Sequence, residues 1–188
     1  SLNVPGMHNI LNATAALSVI HQLDLPMDKA IIAISSFSGT GRRFEILGEV
    51  HGRIIIDDYG HHPTEIENVI ATARSVFSGR RLVFVFEPHR YSRVRELFDG
   101  FVEMLFKADY QLLLPIYAAS ETDTLGMSSS VICDSLRSLG AKDAHTVSSS
   151  EALYSVLDHV LEDGDVVLFM GAGSIGRVVK QFVAGTDS

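Results

Sequence analysis

The sequence predicts an α/β fold: a Rossmann-like, open, mostly parallel sheet with helices on both faces, preceded by a short helical tail. From residue 44 onward, short apolar runs rich in β-branched residues alternate with amphipathic segments of helical periodicity, which is typical of βαβ units. The run LVFVF at residues 82–86 is apolar at every position, as a strand buried on both faces requires. A chain of 188 residues that is 46% hydrophobic is long enough for one such domain and an appendage.

The start of the chain predicts two helices that belong to a different domain. Apolar residues recur at helical spacing over residues 9–23, and a second short helix is predicted over residues 27–37. The SGTG sequence at residues 38–41 reads as a flexible joint. We therefore expect residues 1–40 to be the end of a preceding domain and residues 41–188 to form the α/β domain. The chain begins without an initiator Met or targeting character, which predicts a piece of a longer protein.

The elements of the α/β domain follow in order from residue 44. Residues 44–50 and 53–57 read as two strands joined by a tight turn at His51 and Gly52, and this hairpin is the antiparallel candidate. The remaining strands are predicted over residues 82–86, 110–114, 144–147 and 165–170. The helices that alternate with them are predicted over residues 64–77, 92–106, 129–139, 151–161 and 174–182. A long loop is predicted over residues 115–127.

Charge and cysteine content exclude several classes of protein. A formal net charge of −8 argues against general nucleic-acid binding, which needs a basic surface. The sequence contains no apolar run of about 18 residues, so no membrane span is expected. The single cysteine, Cys133, falls on a predicted helix, where a small buried apolar residue is the simplest interpretation. One cysteine allows no disulfide within the chain, which suits the reducing cytoplasm.

The second predicted strand ends in the polar sequence DDYGHHP at residues 57–63. One of two adjacent carboxylates at a strand end normally faces the crevice, where it can accept hydrogen bonds from both hydroxyls of a ribose. His61 has the chemistry to contact a substrate or to transfer a proton near neutral pH. Pro63 presets the first turn of the following helix. The alternative is turn chemistry plus an N-cap, with incidental histidines.

The third predicted strand ends in EPHRYSR at residues 87–93. Arg90 and Arg93 lie three residues apart at a predicted helix start, with Ser92 as the expected N-cap, so they could clamp a carboxylate together with helix amides. The alternative is that the arginines are solvated or paired with nearby glutamates, and this is the interpretation we favour for Arg95. We call the polar sequences at residues 57–63 and 87–93 the first and the second tip. If the two tips leave neighbouring strands of a parallel sheet, both open into one polar crevice.

A metal site is another interpretation of the histidines. His61, His62 and His89 offer enough ligands for zinc or iron in a metal-dependent hydrolase. Adjacent histidines point in different directions, however, and no HxxxH or HxH spacing is present. We therefore predict no metal ligands and keep the hydrolase as an alternative.

Three further motifs each leave two interpretations open. GAGSIG at residues 171–176 matches the dinucleotide fingerprint, but it lies on the last strand and is also a tight turn that could border the crevice. Asn9 and Asn12 share one helical face, where they could pair with a purine edge or serve as caps. The two arginines in GRRFE at residues 41–45 could meet a phosphate chain or belong to a solvated linker.

Taken together, these segments resemble the Mur ligase family. The resemblance runs in chain order through GMHNILN, GRRFE, DDYGHHPTE, EPHRYSR and GAGSIG. Family members have three domains, and this chain resembles the third, Rossmann-like domain plus the last helices of the second. The missing central domain would carry the ATP phosphate loop and the magnesium ligands. The resemblance therefore implies a ligase fragment that uses ATP and Mg in the intact enzyme and is inactive alone.

The resemblance also implies a reaction and a role for each motif. The family forms an amide with ATP through an acyl phosphate, in peptidoglycan precursor synthesis. EPHRYSR points to members that join L-alanine to UDP-N-acetylmuramate, whereas DDYGHHP also resembles the related muramyl-tripeptide ligases. The expected ATP contacts are Asn9 and Asn12 on adenine, Arg43 on the phosphates and Asp58 on the ribose. Tyr59 and His61 would face the muramyl substrate and alanine, and His89, Arg90 and Arg93 would position alanine.

Overall fold

A computed structural model describes residues 2–122 and 126–186 of the chain. The chain divides into two compact units, one ending at Gly41 and the other beginning at Arg42. None of the helices in the described residues is long and apolar enough to cross a membrane.

The first unit is a pair of helices, α1 (Met7–Gln22) and α2 (Met27–Ser36). The chain turns between them through Asp24, at φ 51°, and Pro26. None of the residues of α1 is buried, and Ala30 is the one buried residue of α2. Large apolar side chains stay exposed in this unit: Met7, Ile10, Leu11, Val19, Leu23, Leu25, Ile31, Ile32 and Phe37. The two helices therefore bury little apolar surface.

The second unit is built on a six-stranded sheet of order β1-β2-β6-β3-β4-β5. The strands are β1 (Glu45–Val50), β2 (Arg53–Asp58), β3 (Leu82–Phe86), β4 (Tyr110–Leu113), β5 (Ala144–Thr146) and β6 (Val166–Met170). β1 pairs with β2 antiparallel and every other pair is parallel. The predicted open, mostly parallel α/β sheet and its antiparallel hairpin are thereby confirmed.

Helices cover both faces of this sheet. They are α3 (Pro63–Val76), α4 (Tyr91–Glu96), α5 (Phe98–Leu105), α6 (Ser129–Ser138), α7 (Ser150–Val160) and α8 (Ile175–Thr186). One apolar core joins Ile56, Phe84 and Leu168 of the strands to α3, α5 and α6. The opposite core joins Ile55 and Val83 to α7 and α8. Because successive strand residues face opposite ways, strands that are apolar throughout serve both cores.

One predicted helix is broken in the structure. The segment predicted as a single helix over residues 92–106 forms α4 and α5, separated at Leu97. The backbone of Leu97 leaves the helical region, with φ −114° and ψ 22°, although its N–H still bonds the carbonyl of Arg93 at 3.0 Å. Periodicity did not predict this break, because apolar spacing continues across it. The other predicted helices and strands agree within a few residues at their ends, except that α8 runs four residues beyond its predicted end.

A network of arginines fixes the amino ends of the strands. The guanidinium of Arg81 donates to both oxygens of buried Asp165, at 2.9 and 2.8 Å. Arg80 donates to the carbonyls of Gly164 and Gly52, which lie in two turns at the same end of the sheet. These contacts lie at the opposite end of the strands from the polar tips, so they serve the fold.

Candidate active site

Three strands end at one height along the carboxyl rim of the sheet. Met170, at the end of β6, pairs with Asp58 of β2 on one side and with Phe86 of β3 on the other. The two polar tips therefore leave the sheet from the same rim, as predicted. They do not leave neighbouring strands, because β6 lies between β2 and β3. That part of the prediction was wrong, because strand order depends on how the last crossover packs and not on any local pattern.

The two tips nevertheless meet above β6. The imidazole rings of His61 and His89 have their centroids 5.7 Å apart, and the ring of Tyr59 meets His61 edge-on at 5.6 Å. Tyr59 is exposed, whereas His61 and His89 are partly buried. The structure thus assembles one crevice from the two tips, with aromatic and imidazole rings on its wall.

Arg42 links the first tip to the end of β6. Its Nε donates to Asp57 Oδ2 at 3.1 Å, its Nη2 donates to the carbonyl of Gly171 at 2.6 Å, and its guanidinium lies 5.1 Å from the centre of the Tyr59 ring. Asp57 is fully buried, and burial raises the pKa of its carboxyl while Arg42 opposes the shift. Arg42 has φ 58°, a conformation that few non-glycine residues adopt. The sequence did not predict that Arg42 links Asp57 to Gly171, because two adjacent arginines were the only feature that marked this position.

Asp58 is also directed into the protein. Its two carboxylate oxygens each accept a backbone N–H at 2.7 Å, one from Phe44 and one from Gly60. The residue is 4% exposed, and burial raises the pKa of its carboxyl against these hydrogen bonds. The expectation that one of the two aspartates faces the crevice is therefore not met in this structure, because both carboxylates hold groups of the protein. The role of Asp58 on a ribose stays a prediction.

The two arginines of the GRRFE sequence point in different directions. The Arg43 side chain is 56% exposed, and its Nη1 lies 3.5 Å from Glu65 Oε1. Its guanidinium lies 6.0 Å from the centre of the Tyr59 ring. Arg43 is therefore the member of the pair that remains accessible to an anion beside the crevice.

His62 caps helix α3 and does not join the other histidines. Its Nδ1 accepts the N–H of Thr64 at 3.3 Å, while the carboxylate of Glu65 accepts the N–H groups of His61 and His62. This is a capping box, with Pro63 in the first turn as predicted. Within residues 2–122 and 126–186, no group of three His, Cys, Asp or Glu side chains could hold a metal ion. The three histidines of the hydrolase alternative are thus not brought together as a ligand set, because His62 turns to Thr64 in the cap of α3.

Glu87 fills the start of helix α8. This buried carboxylate accepts hydrogen bonds from Ser174 Oγ at 2.6 Å and from the N–H of Ile175 at 3.1 Å. A Cβ on Gly173 would lie 2.5 Å from Glu87 Oε2, so glycine is needed there for close approach. A dinucleotide would place its pyrophosphate at this helix start, where the protein already has a negative charge. The structure therefore favours the tight-turn interpretation of GAGSIG.

The two arginines of the second tip lie close to His89 and to the start of α4. Among the residues that the structure describes, neither Arg90 nor Arg93 forms an ion pair. Arg93 Nη1 lies 3.3 Å from His89 Nδ1, and Arg90 is the N-cap of α4 with φ 69°. Ser92, the expected N-cap, is instead the second residue of the helix, so that prediction was wrong. The guanidiniums remain available to an anion.

Sequence reasoning missed two residues of the loop that follows β4. The ring of Tyr117 stacks on His89 at 5.4 Å and 13°, and its backbone bonds Pro88 and Arg90 at 2.7 and 2.8 Å. The carboxylate of Glu121 accepts hydrogen bonds from Ser92 Oγ at 2.6 Å and from the Ser92 N–H at 3.0 Å. No periodicity marks either residue. The only signal was an unusually long loop at the strand end where ligands bind.

The electrostatics of the crevice keep His89 neutral. Burial, followed by the charge of Arg93, lowers the pKa of His89 below 6.5. A neutral imidazole can accept a proton, and the adjacent guanidiniums can bind a carboxylate. The crevice can therefore hold an anionic group beside a proton acceptor.

The two predicted adenine contacts lie on α1 in the first unit. Asn9 is partly buried, and its amide donates to the carbonyl of Pro5 at 2.6 Å. This is not the predicted capping contact, because the N-cap of α1 is Gly6 and no side chain accepts from its first amides. Asn12 is exposed one turn later. Their role toward a nucleotide stays a prediction.

Comparisons with known proteins agree with this architecture. The family described as "Mur ligase, glutamate ligase domain" matches residues 42–173. The chain is similar to UDP-N-acetylmuramate-alanine ligase from Thermotoga maritima, at 33% identity and a TM-score of 0.82 over 99% of this chain and 39% of that one. It shares its fold with the murein peptide ligase of Psychrobacter arcticus 273-4, at 22% identity and a TM-score of 0.72 over 99% and 38% of the two chains. The folylpolyglutamate synthase of Mycobacterium tuberculosis, complexed with ADP, shares the fold at 19% identity and a TM-score of 0.67 over 98% and 41%.

Proposed function

The chain belongs to the Mur ligase family and corresponds to the C-terminal domain of its members. From this we propose that it is part of an ATP-dependent ligase that joins L-alanine to UDP-N-acetylmuramate. It spans 39% of the similar alanine ligase, so the activity belongs to a longer protein and the chain alone is inactive. The family identification makes peptidoglycan precursor synthesis the expected pathway, and the cytoplasm is the expected location.

The observation that carries the proposal is the crevice between the two tips. Arg90 and Arg93 offer two guanidiniums, neither in an ion pair within the part of the chain that the structure describes, and Arg93 lies beside the paired rings of His61 and His89. An amino acid presents a carboxylate and an amine, and a guanidinium fork suits the carboxylate. The amine would then lie over the rim, where the exposed Tyr59 and the partly buried His61 would contact the muramyl substrate.

The chemistry follows from this placement. The substrate carboxylate would first attack the γ-phosphate of ATP, forming an acyl phosphate and releasing ADP. The alanine amine then attacks the acyl carbon, a C–N bond forms and phosphate leaves. The amine loses a proton, which neutral His89 is placed to accept. Holding the amine beside the acyl phosphate is mainly catalysis by positioning.

We also propose contacts to ATP for individual residues. We assign Arg43, the accessible arginine, to the phosphates, and Asn9 and Asn12 to the adenine. Asp58 would reach a ribose hydroxyl only by sharing an oxygen with the Phe44 or Gly60 amide. ADP complexes are known for family relatives such as the MurF ligase of Thermotoga maritima. The Mg²⁺ that accompanies ATP would be held by the central domain.

The first unit would be the end of that central domain. Its two helices expose large apolar side chains such as Ile10, Leu11 and Ile32. Side chains of this kind normally pack on another part of a protein. This supports the assignment of residues 1–40 to the preceding domain.

The experiment that tests the proposal is an activity assay on the full-length protein. We expect release of phosphate that depends on ATP, UDP-N-acetylmuramate and L-alanine together, and none from the 188-residue chain alone. The muramyl-tripeptide ligases that DDYGHHP also resembles are the alternative, and they make a free tripeptide the competing substrate. Turnover of a free tripeptide in place of alanine would refute the proposal in favour of that alternative.

A further inference from the structure

The start of helix α4 carries two positive side chains, and a negative side chain from another part of the chain bonds to it. Arg90 and Arg93 belong to the second tip, and Glu121 comes from the loop after β4. The carboxylate of Glu121 bonds both the hydroxyl and the N–H of Ser92, which lies between the two arginines in the chain. Glu121 is therefore held at the start of α4, where the charge of Arg90 acts on it and its own charge acts on His89, although it forms no ion pair with either arginine.

The position of Glu121 is fixed by its loop as well as by Ser92. Tyr117 anchors the loop to the second tip through two backbone hydrogen bonds and the stack on His89. The N–H of Glu121 bonds the carbonyl of Ala118 at 2.9 Å. The hydrogen bonds from Ser92, and then the charge of Arg90, lower the pKa of Glu121, so its carboxylate is ionised at neutral pH.

Among the residues that the structure describes, the charges of Arg90, Arg93 and Glu121 suit one anion. Two guanidiniums and one carboxylate sum to a single positive charge, because burial and Arg93 keep His89 neutral. An amino acid with an uncharged side chain, its amine deprotonated for attack, brings one negative charge in its carboxylate and balances that charge. Aspartate or glutamate brings a second carboxylate, which Glu121 would repel.

We propose that Glu121 determines specificity, restricting the incoming amino acid to those with uncharged side chains and excluding acidic ones. The proposal rests on the proposed function, which places the amino acid at Arg90 and Arg93. The family description names glutamate ligation, so acidic and neutral amino acids are the relevant comparison. A residue that acted only as a helix cap would leave this selectivity unchanged when its charge is removed.

The test is the Glu121→Gln variant of the full-length enzyme. The glutamine amide can reproduce both contacts, with its oxygen accepting the Ser92 N–H and its NH₂ donating to Ser92 Oγ. The measurement is kcat/KM for L-alanine, L-glutamate and L-aspartate in wild type and variant. We expect the acidic-to-alanine ratio of kcat/KM to rise about tenfold or more in the variant, since like charges no longer oppose each other. A ratio within twofold of wild type would overturn the proposal.

Ser92→Ala is the matched control. It removes the hydroxyl bond to Glu121 but keeps the charge, so the ratio should stay near that of wild type. An equal rise in both variants would assign the effect to loosening of the loop and overturn the proposal. Alanine turnover by the wild type reports separately on the proposed function, so a failure of one idea is distinguishable from a failure of the other.

Discussion

The rings of His61 and His89 lie 5.7 Å apart, although a whole strand separates the strands from which they extend. The crevice is therefore closed over the end of β6 by contacts of the tips themselves. On one side Arg42 ties Asp57 to Gly171, and on the other Tyr117 holds His89. Each of these supports can be removed separately, and each has a distinct expected effect.

Replacing Arg42 with alanine should destabilise the protein. Asp57 is fully buried, and the substitution would remove its cation and the donor to Gly171. Loss of one partner of a buried ion pair typically costs about 3–5 kcal/mol. Urea denaturation at neutral pH should show a loss of this size in the free energy of unfolding.

Arg43→Ala is the control for this prediction, because it removes the same charge at the next position. Its side chain is largely exposed and its pair with Glu65 is a surface contact, worth about 1 kcal/mol or less. Equal losses from the two variants would show that Arg42 contributes no more than a surface charge.

Replacing Gly173 with alanine should disturb the support of the second tip. The new Cβ would lie 2.5 Å from Glu87 Oε2 and 2.6 Å from the Tyr117 ring. Overpacking of this kind costs about 1–3 kcal/mol, so the melting temperature should fall and the tyrosine near-UV signal should change. In Gly185→Ala, the new Cβ meets nothing within 4 Å in helix α8, and a gain of about 0.5–1 kcal/mol is expected. An unchanged melting temperature in Gly173→Ala would refute the tight contact.

Much of the fold could be predicted because its signals are local. The apolar run at 82–86 became β3 without an error at either end, and the turn at His51 and Gly52 joined the expected hairpin. Strand order is not a local property. Neither the pattern of β6 nor its position at the end of the chain indicates that it inserts between β2 and β3.

The candidate site was predictable in its location but not in its internal bonding. The ends of the predicted strands gave the positions of both tips. The same residue types, however, form hydrogen bonds within the protein or bind a ligand according to the direction in which their side chains point. Asp57 lies on the same strand face as Ile55, which packs in the core that includes α8, and its buried carboxylate pairs with Arg42. Glu121 and Tyr117 lie in an irregular loop, where no spacing rule connects them to the second tip. Such partners become visible only when the chain is folded.

Arg93→Ala in the full-length enzyme should raise the KM for alanine. A hydrogen bond to a charged group contributes about 1.5–3 kcal/mol, which corresponds to a rise of about tenfold to a hundredfold in KM. Arg95→Ala removes an equal charge from an exposed position on the same helix and should leave the alanine KM near that of wild type. If the two variants had the same KM, the carboxylate role of Arg93 would be wrong.

His89 should make the protein less stable in mild acid. Burial lowers its pKa below 6.5 in the folded chain, so the folded state resists a proton that the unfolded state accepts. Above about pH 6.5, the ordinary histidine pKa, the imidazole is neutral in both states and its titration does not change the free energy of unfolding. As the pH falls below that value, the unfolded state binds a proton that the folded state resists, so the free energy of unfolding decreases until the pH has passed the folded pKa. In His89→Gln this part of the loss between pH 7.5 and 5.5 should disappear, as measured by urea denaturation at both values.

Tyr117→Ala gives an independent check on the cause of the His89 shift. Removing the ring that stacks on His89 exposes the imidazole to water, so its pKa should move back up toward 6.5. An NMR titration of the His89 ring in wild type and variant measures this directly. If His89 titrated at the same pH in both proteins, the stacked tyrosine would not be the source of the burial, and the charge of Arg93 would have to account for the shift.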